Sequence, residues 1–85
     1  MTERELQLLG FEKNKVSSEE SGGKPYHYYI YEFTKGLEFI SSDSDTSEGD
    51  NWYVEFFNAD IPVRFHKMEQ VQVLINTFEK AKVKK

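Results

Sequence analysis

Residues 26–33, Tyr-His-Tyr-Tyr-Ile-Tyr-Glu-Phe, restrict the fold more than any other stretch of the chain. Aromatic and β-branched side chains concentrated between Pro25 and Gly36 favour an extended strand, and Leu37 to Ser42 has the character of its partner. The pair predicts a hairpin whose connection decides the register. A three-residue loop, Thr34-Lys35-Gly36 with Gly36 in the left-handed region, pairs Phe33 with Leu37, Tyr31 with Phe39 and Tyr29 with Ser41. Tyr29, Tyr31, Phe33, Leu37 and Phe39 then share one apolar face, and Tyr28, Ile30, Glu32, Glu38 and Ile40 share the other. A two-residue loop mixes the two sets, so the bulged turn is the expectation.

Other segments supply the cover for such a hairpin. Thr2 followed by Glu5 is a capping-box pattern that opens a short helix with Leu6 and Leu9 on one face, and Gly10-Phe11 reads as its left-handed stop. Phe11 to Val16, carrying Glu12, Lys13 and Lys15, suits an edge strand. Residues 17–25 and 41–50 read as flexible polar loops. Asn51 to Phe57 and Ile61 to Phe65 predict a second hairpin around Asn58-Ala59-Asp60, with Trp52, Val54, Phe56, Ile61, Val63 and Phe65 turned inward and Pro62 marking an edge or bulge.

From Lys67 to about Lys82, Val71, Leu74, Ile75 and Phe78 follow helical spacing and form one apolar stripe. That helix is expected on the inner face, with Trp52 between it and the sheet. The fold class is therefore α+β: an antiparallel sheet of four to five strands in a hairpin meander, with a short N-terminal helix and a longer C-terminal helix packed on it. With 85 residues and no internal repeat, the chain is expected to form a single domain over 1–85. In outline the layout is similar to that of small bacterial or phage proteins, with no residue-level motif behind the likeness.

Composition removes several classes of function. There is no cysteine, hence no disulfide, thiolate metal site or thiol nucleophile. Eleven Lys and Arg against fifteen Asp and Glu give a net charge of -4, which opposes a sequence-independent grip on phosphate, so no direct nucleic-acid binding is expected. The charged start Met1-Thr2-Glu3-Arg4-Glu5 and the lack of a long apolar run point to a soluble, cytoplasmic protein that does not enter a membrane.

The segment Asp43 to Asp50 gathers oxygen ligands suited to a hard cation, with Asp43, Asp45, Glu48 and Asp50 as the candidate metal ligands. It departs from an EF-hand loop: counted from Asp43, Gly49 falls one place late and Val54 stands where the bidentate glutamate belongs. A solvated acidic loop is the stronger reading. His27 and His66 lack the spacing of a catalytic triad and read as structural, His27 at the rim of the core face and His66 near the start of the last helix. Ser21-Gly22-Gly23-Lys24 lacks phosphate-loop spacing. The lysines of residues 80–85 suit the negative end of a helix dipole. No catalytic residue and no cofactor is expected.

The face left outside the core is the most informative feature. Tyr28, Ile30, Ile40, Tyr53 and Phe57, interspersed with Glu32, Glu38 and Glu55, make an apolar patch with a charged surround, the composition of an unfilled protein interface. A competing arrangement has the first helix bury this patch through Leu6 and Leu9. The leading expectation is a non-catalytic interaction module that binds a protein partner or a second copy of itself through this face or a strand edge. The alternative is a divalent-cation-binding domain using the acidic loop 43–50.

Overall fold

The computed structural model describes residues 1–57 and 63–82. Helix α1 spans Glu3–Leu8 and is closed at both ends as the sequence predicts. Thr2 Oγ1 accepts from the Glu5 N–H at 3.2 Å, and Glu5 Oε1 accepts from the Thr2 N–H at 2.8 Å. At the other end Gly10, with φ +97°, donates to the Gln7 carbonyl, while the Phe11 N–H donates to the Leu6 carbonyl, both at 3.1 Å. These two bonds are the Schellman closure, and they turn Phe11 back into the core.

Strand β1 spans Glu12–Val16, β2 Tyr26–Thr34, β3 Leu37–Ser41 and β4 Val54–Phe56. They form one antiparallel sheet in the order β1-β2-β3-β4, a meander with β1 at an edge. Between β1 and β2 the polar segment contains a short helix, α2 at Ser18–Ser21, capped by reciprocal bonds between Ser17 and Glu20 and ended by Gly22 at φ +74°.

The β2–β3 connection differs from the expected turn, yet keeps its consequence. Thr34, not Phe33, pairs with Leu37, so the loop is Lys35-Gly36 with Gly36 at φ +91°. The register then shifts between Glu32 and Thr34, leaving Phe33 as the extra residue of a bulge, and beyond it Tyr31 faces Phe39 and Ile30 faces Ile40. Turn and bulge together restore the parity that a three-residue loop gives. Tyr29, Phe33 and Phe39 are buried, and Tyr31 and Leu37 are half-buried against the same cluster.

Part of the second hairpin lies outside the described residues, namely Asn58-Ala59-Asp60, Ile61 and Pro62. On its far side Phe65 makes an isolated antiparallel bridge to Val54, with both backbone bonds at 2.9 Å. Val63, expected inward, is 39% exposed. Among the described residues the sheet has four strands.

Helix α3 spans Met68–Ala81; Val71 and Ile75 are buried, with Leu74 and Phe78 packed beside them. Leu6 and Leu9 of the α1 region belong to the same cluster as Tyr29, Phe33, Phe39 and Val71. Both helices with apolar stripes therefore cover the inner face. Trp52 is buried, but its aromatic neighbours are His27, stacked at 5.7 Å, and Tyr29, edge-on at 5.8 Å. The Trp52 backbone N–H donates to the Met1 carbonyl at 3.0 Å, which ties this stretch to the N-terminal end of the core.

Candidate functional site

The outer face follows directly from strand parity. Ile30 stands opposite Ile40, Ile40 opposite Glu55, and Glu32 opposite Glu38. Strand β1 extends the face with Glu12 opposite Ile30, Asn14 opposite Tyr28 and Val16 opposite Tyr26. Beyond β4, Phe57 aligns with Glu38, whose carbonyl accepts its N–H at 2.9 Å. Tyr28, Ile30, Glu38, Ile40, Tyr53 and Glu55 are half-buried, while Glu32 and Phe57 are exposed.

All eight residues expected on this face from sequence thus lie in β2, β3 or the β4 segment, in register with one another. Between the tyrosines lies a shallow depression of about 430 Å³, lined by Tyr26, Tyr28, Ile40, Tyr53, Glu55 and the Ser41–Asp43 turn. Chemically the surface is divided. The tyrosines occupy the end nearer β4's entry, Glu12 and Glu55 flank the Ile30–Ile40 row, and the Glu32–Glu38 pair stands toward the β2–β3 turn.

Arg64 completes this site; the alternation of Val63 and Phe65 puts it on the outward parity, but nothing in the sequence pairs it with Tyr53. Its guanidinium carbon lies 4.5 Å from the centre of the Tyr53 ring, and its Nε is 3.3 Å from Glu55 Oε1. One arginine is therefore held by an aromatic face and a carboxylate together. Tyr26, by contrast, was legible: it shares the parity of Tyr28 and Ile30.

The acidic loop is organised around its own backbone. Asp43 Oδ1 accepts from both the N–H and the hydroxyl of Thr46, each at 2.9 Å, and the Ser42 and Ser47 hydroxyls are hydrogen-bonded to one another in a buried position. The chain is also pinned to β2, since the Ser44 N–H donates to the His27 carbonyl at 2.8 Å and Ser44 Oγ accepts from the His27 N–H at 2.9 Å. Asp43, Asp45, Glu48 and Asp50 do not converge: among the described residues, no three His, Cys, Asp or Glu side chains gather into a set that could hold a metal ion.

A second polar cluster lies at the rim of the inner face. Tyr29 Oη donates to Glu3 Oε1 at 2.6 Å, His27 Nε2 pairs with the same oxygen, and Gln7 Nε2 donates to the Tyr29 hydroxyl at 3.0 Å. The Tyr29 hydrogen bond holds the Glu3 carboxyl below its ordinary range, assisted by His27 and against the opposing effect of burial. Burial pushes the Tyr29 phenol up, and the Glu3 bond adds to it. These groups lock α1 onto β2. His66 precedes the α3 N-cap, which is Lys67; its ring is 5.7 Å from Tyr53.

Comparison with protein-family models, with curated proteins and with solved structures gives no match. Among the described residues, no helix is long and apolar enough to cross a membrane. The site accordingly stands on its own geometry: an aromatic and aliphatic sheet face with a glutamate pair at its turn end and Glu12 and Glu55 at its flanks.

Proposed function

We propose that the protein is a non-catalytic interaction module that binds a protein partner through the outer face of its sheet. One observation carries the reading. Leu6 and Leu9 pack with Val71 and Ile75 on the inner side, so neither α1 nor α3 covers Tyr28, Ile30, Ile40 and Tyr53. Burying such a strip is worth roughly 25 cal/mol per Å² of apolar area, a gain that a docking protein realises.

A net charge of -4 supports action on a protein and not on nucleic acid. The test compares wild type with Ile30→Lys and Tyr53→Lys by sedimentation and by recovery of bound protein from the native host. The reading requires both variants to stay folded and to lose a partner, or a self-association, that wild type retains. If both fold and neither property changes, the outer face is not the functional surface.

A further inference from the structure

We infer that the partner covering the outer face is a basic protein surface, one that sets arginine or lysine side chains over the Glu32–Glu38 pair and an apolar group over Ile30 and Ile40. This rests on the outer face being the docking surface and adds the chemistry of what docks there.

Two independent observations carry it. The first is charge. Glu32 and Glu38 stand directly opposite each other across β2 and β3, and Glu12 lies on the same side of the sheet, opposite Ile30. Like charges in a cross-strand pair destabilise a sheet, and neither Glu32 nor Glu38 has an ion-pair partner among the described residues. A cationic group laid between them converts that repulsion into attraction. The second is Arg64, which already rests on the Tyr53 ring with its Nε 3.3 Å from Glu55. The same surface thus already holds one guanidinium by a tyrosine and a glutamate, and the Glu32–Glu38 pair offers carboxylates on that face without an arginine.

Charge also selects among occupants. A second copy of this chain brings its own Glu12, Glu32 and Glu38 to the contact, and nucleic acid brings phosphates; both meet like charge. A protein presenting alternating basic and aliphatic side chains meets opposite charge at the turn end and apolar surface at the centre.

The experiment titrates the isotopically labelled protein with two capped synthetic peptides, one alternating arginine and isoleucine and the other alternating glutamate and isoleucine, while following backbone amide resonances. The arginine peptide is expected to shift the amides of Tyr28, Ile30, Glu32 and Ile40 and to bind at least about tenfold more tightly than the glutamate peptide. Glu32→Gln with Glu38→Gln, a change at two surface positions that leaves the core intact, is expected to abolish most of that preference.

If the glutamate peptide binds the face equally well, or the pure protein dimerises through it, the basic-partner inference is overturned while docking at this face stands. If the arginine peptide shifts residues 43–50 and not the sheet, the cation is reading the acidic loop and the inference fails. If neither peptide perturbs the outer face, the inference falls together with the reading beneath it.

Discussion

The Tyr29 hydroxyl donates to Glu3 Oε1 at 2.6 Å, joining the first residue of α1 to the centre of the sheet. Since a depressed folded-state carboxyl stabilises a protein above its unfolded pKa, this contribution is full at neutral pH and is lost as pH falls through the folded value, below 4.5. Glu3→Gln is expected to lower the melting temperature at pH 7 and to remove part of the drop between neutral and acid pH. Melts at pH 7 and pH 3 check it; an equal penalty at both contradicts the linkage.

The Met1 ammonium makes a second long-range closure. It donates to the carbonyls of Asp50 at 2.8 Å, Trp52 at 3.0 Å and His66 at 2.7 Å, gathering the 50–52 stretch and the stretch before α3 onto its three protons. Acetylation, or residues added ahead of Met1, leaves at most one N–H for these acceptors. Hydrogen bonds to a charged group contribute roughly 1.5–3 kcal/mol each, and in a domain of this size about 1 kcal/mol moves the melting temperature by some 4–8 °C. With at least two of the three bonds lost, the acetylated protein is expected to melt lower by on the order of ten degrees or more, and a scan of the two forms side by side decides it.

Trp52 fills the space between His27, Tyr29 and the Met1 backbone. Trp52→Ala opens a cavity there, with an expected cost of about 3–5 kcal/mol. Denaturant titration measures it. Because the cavity opens beneath α1, the amides of Leu6 and Leu9 are expected to exchange faster than those of Val71 and Ile75. Equal acceleration in both helices would show that Trp52 also supports α3.

Features carried by local chemistry were legible in the sequence. The Thr2–Glu5 box, the Gly10–Phe11 stop and the two hairpin faces each depend on residues a few positions apart, and each is present. The bulge at Phe33 was not, because a two-residue loop with a bulge and a three-residue loop leave the same alternation of side chains. Nor was the side of the sheet that α1 takes. Leu6 and Leu9 fit either face; Glu3 and Gln7 decide it by reaching the Tyr29 hydroxyl, more than twenty residues away in sequence. Met1 on His66 is likewise a long-range contact with no periodic signature.

The Glu32–Glu38 pair offers a last prediction, one that separates stability from binding. The residues are directly opposed in the register, Glu32 is exposed and Glu38 half-buried, so their carboxylates repel across β2 and β3. Replacing Glu38 with lysine puts an opposite charge in the same cross-strand position, and such pairs contribute roughly 0.2–1 kcal/mol. Relief of the existing repulsion adds to this. Glu38→Lys is expected to raise the melting temperature by a few degrees at low salt, with the gain shrinking at 1 M salt as the charges are screened. The same substitution should weaken binding of the alternating arginine and isoleucine peptide, since it fills from within the place a partner's cation would occupy. A variant that gains stability while losing the contact identifies the paired glutamates as a binding feature maintained at a cost to the fold. A variant that loses both shows instead that Glu38 supports the sheet through its own packing.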